Sequence, residues 1–198
     1  MAVHILSRAR HARTGRIGLI VTPGGFGTPV YPHDVQLRVE GAGLVRDHRG
    51  VTERAPITSM RSCALLARVD LSAPFDAGHD SPPLGDDAVE VDPRHMARLA
   101  DFFAFGWSLL HEVAPTDAEI TLWPAHFDCA FVHRGRINVG ASPGDSFCEE
   151  PYLYVGPWGP ERPGDASFWN APFGAFTQTD DRDEALAFYR KGLDLLAP

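Results

Sequence analysis

Residues 121–145 read Thr121-Leu122-Trp123-Pro124-Ala125-His126-Phe127-Asp128-Cys129-Ala130-Phe131-Val132-His133-Arg134-Gly135-Arg136-Ile137-Asn138-Val139-Gly140-Ala141-Ser142-Pro143-Gly144-Asp145. Two apolar runs flank a glycine-containing turn, the pattern of a β-hairpin. With Arg134 and Gly135 as a two-residue turn, Val132 faces Ile137, Ala130 faces Val139, Asp128 faces Ala141 and His126 faces Pro143. Cross-strand partners share a face. Ala130, Val132, Ile137, Val139 and Ala141 then form an inward apolar face that Asp128 and His126 continue, with Cys129 and His133 on the other side. An inward carboxylate is costly unless paired, so Asp128 requires a partner. A slip of one residue would reverse every one of these assignments.

Working outward, residues 17–50 also read as strands. Ile17 to Thr22 leads into a Gly/Pro-rich bend over Thr22–Pro29. Val35, Leu37 and Val39 then alternate with polar residues at the strand period, and Gly41-Ala42-Gly43 turns the chain into Leu44 and Val45. A short helix is expected over about 58–68, capped by Thr58 or Ser59, with Cys63, Leu66 and Ala67 on one face. Residues 72–87, rich in Pro, Gly and Asp, read as an ordered surface loop. Asp92 and Pro93 open a longer helix reaching Val113, with Met96, Leu99, Phe103, Trp107 and Leu110 at helical spacing. A last helix runs from about Asp181 to Leu196, carrying Leu186, Tyr189, Leu193 and Leu196. Strands that come in hairpins disfavour a doubly wound parallel sheet. The expected fold is a single α+β domain: an antiparallel, curved sheet with two main helices packed on it.

The chain has 198 residues, 18 Lys and Arg against 26 Asp and Glu, and a formal net charge of -8. That balance argues against nucleic acid and anionic membrane as partners and favours a small molecule. Arg8, Arg10, Arg13 and Arg16, with His4 and His11 among them, form a local exception. They could grip an anion, or form the solvated face of a short element. No apolar signal core or spanning run of about 18 residues occurs, so a soluble, cytoplasmic protein is expected. Cys63, Cys129 and Cys148 are odd in number and widely spaced, indicating neither a disulfide framework nor a zinc ribbon.

The residue types suited to chemistry gather between Trp123 and Phe173. After the hairpin come Glu150-Pro151-Tyr152-Leu153-Tyr154-Val155; if these are extended, Glu150, Tyr152 and Tyr154 share a face. Asp145 suits either an Asx turn or a ligand. Trp123, Trp158, Trp169 and Phe173 suit pocket walls and ordinary cores alike. The runs Trp123-Pro124-Ala125-His126-Phe127-Asp128, Ser142-Pro143-Gly144-Asp145 and Glu150-Pro151-Tyr152 resemble the motifs of a family of uncharacterised bacterial proteins, largely actinobacterial. Thr22–Pro29 and Ser81–Asp86 are similar to a narrower subset of it. The resemblance implies a functional grouping of His126, Asp128, Asp145 and Glu150 and supplies no reaction.

Four readings of the region compete. His126, Asp128 and Glu150 or Asp145 could ligate a divalent metal (zinc, iron or manganese), with a second histidine from His79 or His133. The same His126, Asp128 and Glu150 could do metal-free acid–base catalysis, assisted by Tyr152 or Tyr154. A binding module would use Trp123, Asp145, Tyr152, Tyr154, Trp158, Trp169 and Asn170 to hold a small ligand. Alternatively His126, Asp128 and Asn170 form a buried network that fixes the hairpin, with Glu150 capping a loop. An enzyme acting on a small molecule is the preferred expectation. Thr22–Pro29 lacks the spacing of a phosphate-binding loop and reads as a bend.

Overall fold

The computed structural model describes residues 1–72, 75 and 88–197. His79, Ser81–Asp86 and all but residues 72 and 75 of the expected 72–87 loop lie outside the described residues. The chain forms two compact units, Met1–Ala104 with Leu122–Phe127, and Phe105–Thr121 with Asp128–Pro198.

The first unit opens with a π-type helical stretch, Ala2–Ser7, that runs into α1 (Arg8–Thr14) and ends at Gly15 in the left-handed region. Ile5, Leu6 and Ala9 are fully buried, and Arg10 is buried as well, donating to the carbonyl of Gly18. The arginine row is therefore more than a solvated face. An antiparallel sheet follows in the order β1 (Ile20–Thr22), β2 (Gly25–Gly27), β3 (Val35–Glu40), β4 (Gly43–His48) and β5 (Val51–Pro56). The expected bend at Thr22–Pro29 is tighter than the sequence suggests, because Gly25-Phe26-Gly27 is itself a strand. A Cβ at Gly25 or Gly27 would overlap the carbonyl oxygen of Val39 or Leu37, so only glycine lets this strand lie against β3. Phe26 between them is buried, its ring centroid 6.2 Å from that of Phe103 and 5.0 Å from that of Phe127.

The alternation on β3 works as its sequence implies: Val35, Leu37 and Val39 are buried and Gln36, Arg38 and Glu40 are not. β5 escaped the sequence reading because four of its six residues in a row are exposed. Helix α2 (Met60–Ala67) starts at Ser59, whose hydroxyl accepts from the Ser62 amide, and buries Met60, Cys63, Ala64 and Ala67. Helix α3 (Pro93–Val113) begins in this unit, where Asp92 accepts from the Arg94 amide at 2.8 Å. β6 (Thr121–Trp123) bridges Leu122 to Leu19.

In the second unit the strands are β7 (Asp128–His133), β8 (Ile137–Ser142), β9 (Tyr152–Pro157) and β10 (Ala175–Thr177), paired antiparallel in the order β10-β9-β8-β7. Helix α4 (Arg182–Leu195) packs on β9 and β10; Asp181 caps it by accepting from the Asp183 and Glu184 amides. The α+β class and antiparallel pairing are as expected, distributed over two sheets. Among the described residues no helix is long and apolar enough to cross a membrane.

The hairpin at residues 128–142 departs from its expected register by one. Arg134 and Gly135 do occupy the turn, both with positive φ (49° and 69°), and the Arg136 amide closes it on the His133 carbonyl at 3.1 Å. The strands then pair as His133↔Ile137, Phe131↔Val139 and Cys129↔Ala141, which leaves Arg136 with no partner on β7. Such an extra residue is a bulge, and it exchanges the faces of one strand relative to the other. Cys129, Phe131, Ile137, Val139 and Ala141 therefore line the core, while Asp128, Ala130 and Val132 point the opposite way beside Asn138 and Gly140.

Candidate functional site

The face of the second unit's sheet that carries Asp128 is built around two tyrosines from β9. Gly140 pairs with Tyr154 and Ser142 with Tyr152, so both rings stand on the Asp128 face. The Tyr154 hydroxyl donates to Asp128 Oδ2, and the Tyr152 hydroxyl donates to Asp145 Oδ2 at 2.6 Å. Burial, then the nearby Asp128 carboxylate, raises the Tyr154 phenol well above its usual range; burial and Asp145 raise Tyr152. Both phenols stay protonated as donors throughout the physiological range. Burial works against the Asp145 carboxylate, but donation from Tyr152 and from the Phe147 and Cys148 amides outweighs it, and its pKa falls. Asp145 is thus both an Asx-type turn and a tyrosine acceptor. Phe147, Phe173 and Phe176 pack edge-on or stacked around the two tyrosines, with centroids 5.0 to 6.4 Å apart.

The other expected site residues are placed differently. β6 ends at Trp123, and residues 124–127 form a turn in which Phe127 has φ 57° and donates its amide to the Trp123 carbonyl. Proline at 124 lacks the donor a ladder needs, so the strand expected through His126 stops there. His126 is exposed in that turn, in the first unit. Glu150 is exposed in a bend ahead of β9 rather than extended with Tyr152. Asn170 braces β10, exchanging two hydrogen bonds with the Phe176 backbone at 2.9 and 3.0 Å. Trp169 donates to the Pro163 carbonyl beneath the Arg162 guanidinium, and Trp158, 63% exposed, donates to Asn138. Trp123 is partly exposed in the first unit. His133 sits on the core face, its basicity lowered by burial and by Arg134. The three cysteines are free thiols, and burial raises that of Cys129. Among the described residues no three His, Cys, Asp or Glu side chains come together as a metal site would require.

A second candidate lies in the first unit and was not anticipated. A groove of about 660 Å³ is walled by Ile20, Val21, Thr22, Pro23 and Gly24 and floored by Gln36, Arg38, Glu40 and Asp47. Arg38 joins the two carboxylates: its Nε donates to Glu40 at 3.3 Å and its Nη1 donates to Asp47. Arg54 gives Glu40 a second cation, and the Thr52 hydroxyl donates to Asp47 at 2.5 Å. Those hydrogen bonds, Arg54 first for Glu40 and Thr52 first for Asp47, outweigh desolvation and depress both pKa values. No family model, curated protein or solved structure matches this chain. The signal for the groove was nevertheless in the sequence. A two-residue turn at Gly41-Ala42 sets Gln36 opposite Asp47, and Arg38 and Glu40 follow on the same face.

Proposed function

We propose that the chain binds a small polar molecule in the groove of its first unit and holds it without covalent chemistry. The observation that carries this is the lining itself: an apolar wall facing a floor of one guanidinium and two carboxylates, in a volume within the range of small-molecule sites. Each carboxylate already accepts two hydrogen bonds and keeps acceptor capacity, so the groove suits a ligand that brings its own donors, an amine or a polyol. The hydrogen bonds that depress the pKa values of Glu40 and Asp47 make both carboxylates weak bases, which favours binding over turnover.

An enzyme acting through Asp128 is the second reading. One observation favours it, the phenol of Tyr154 held against the Asp128 carboxylate, an arrangement able to relay a proton.

A thermal-shift and calorimetric screen of small amines, polyols and amino acids separates the two. Binding in the groove predicts a saturable stabilisation, about 2.7 kcal/mol at a hundred times Kd, that Asp47→Asn weakens and Tyr154→Phe does not. The reverse pattern, or stabilisation indifferent to Asp47→Asn, sinks the groove as the site.

A further inference from the structure

The opposite face of the first unit's sheet holds a second polar arrangement, independent of the groove. The Tyr31 side chain is 6% exposed, and its hydroxyl has no hydrogen-bond partner among the described residues. Leaving such a donor unmatched in a buried place is costly, so the position calls for an acceptor. Two guanidinium groups attend it. Arg13, near the end of α1, lies with Cζ 5.6 Å from the centroid of the Tyr31 ring. Arg46 on β4 has a side chain only 5% exposed, gives one N–H to Glu53 at 2.5 Å, and its charge reaches the phenol. The backbone fixes this geometry: Tyr31 bridges Val35 through two hydrogen bonds, across a turn in which His33 and Asp34 both take positive φ (72° and 56°). Arg46 stands on the same sheet face as Leu37, its partner on β3.

We propose that the Tyr31 hydroxyl, Arg13 and Arg46 form a binding site for a small oxyanion, a phosphate or a carboxylate. A buried phenol hydroxyl with its O–H to donate, beside two guanidinium groups, presents several donors and a positive charge to an anion, and the planar guanidinium fork matches both a phosphate and a carboxylate. Glu53 accepts one of the five N–H groups of Arg46, and the Ala9 carbonyl accepts one of those of Arg13. The site gives one member of the N-terminal arginine row a specific task.

The test is titration calorimetry of the full chain with inorganic phosphate and, separately, with acetate and citrate, against sodium chloride at matched ionic strength. Saturable binding of at least one oxyanion is expected, the stronger titrant identifying the source. Tyr31→Phe and Arg13→Gln, the latter at an exposed position, should each weaken it about tenfold, as expected for loss of a hydrogen bond to a charged group. Arg46→Met would strand Glu53, so it is paired with Glu53→Gln; that double variant should abolish binding while its circular dichroism stays that of the folded chain. Absence of saturable binding by every titrant, or affinity unchanged in both single variants, overturns the proposal.

Discussion

Replacing Gly140 by alanine tests whether the Tyr154–Asp128 contact depends on the absence of a side chain beneath it. A Cβ at Gly140 would fall inside contact distance of Cζ and Oη of Tyr154 and 2.7 Å from the carbonyl oxygen of Cys129. The carbonyl belongs to the paired neighbouring strand and cannot retreat, so the tyrosine ring must move, and its hydroxyl then leaves Asp128. Overpacking a close-fitted position costs about 1–3 kcal/mol. Losing a hydrogen bond to a charged acceptor adds about 1.5–3 kcal/mol. The sum, roughly 2.5–6 kcal/mol, corresponds to a melting temperature lower by about 5–24 °C at some 2–4 °C per kcal/mol for a chain of this size. Urea unfolding of Gly140→Ala, Tyr154→Phe and the double variant measures it. Tyr154→Phe alone forfeits the hydrogen bond, so alanine at Gly140 should cost about 1.5–3 kcal/mol less in that background. Strict additivity, or a loss below about 1 kcal/mol for Gly140→Ala, would refute the proposed coupling.

Asp181→Ala removes the acceptor for two amides at the start of α4 and should cost about 0.5–2 kcal/mol, read from the urea midpoint. Ser59→Ala at α2 should cost a similar amount, and an unchanged midpoint in either would mean the cap contributes nothing. Tyr189 is fully buried and donates to the Gly140 carbonyl at 2.8 Å; Tyr189→Phe should lose about 1–3 kcal/mol and Tyr189→Leu distinctly more, so equal losses would deny the hydroxyl a role of its own. The Asp145 pKa is depressed in the folded chain, so its contribution is present above the unfolded value near 4 and disappears as pH falls through the lower folded value. Melting curves between pH 6 and 2.5 should accordingly be flatter for Asp145→Asn, and parallel curves would count against it.

Much of the local structure was legible because caps and periodicity act over a few residues. Asp92 with Pro93, Ser59 and Asp181 each mark a helix start where the structure has one. Val35, Leu37 and Val39 alternate because one face of β3 is buried. The site was less legible, for reasons that lie in the backbone. Turn chemistry named Arg134 and Gly135 correctly, but nothing in the residue types distinguishes Arg136 as the next paired position from Arg136 as a bulge. That single choice decides whether Cys129 or Asp128 faces the core. Asp128 did need a partner, and Tyr154 supplies it from a strand whose register cannot be read from β7 alone. In the other direction, Gln36, Arg38, Glu40 and Asp47 looked like the ordinary wet side of a hairpin. They become a groove floor only because β1 and its turn, held close by glycines in β2, rise beside them.

Arg136 also makes the hairpin a parity device. Each residue added to or removed from the connection between Cys129 and Val139 exchanges which set of side chains meets the helices, whereas changes of two restore it. Among chains that share this fold, connections differing by an even count should interchange freely. Those differing by one would have to exchange the entire chemistry of β7, carboxylate for thiol, in the same step.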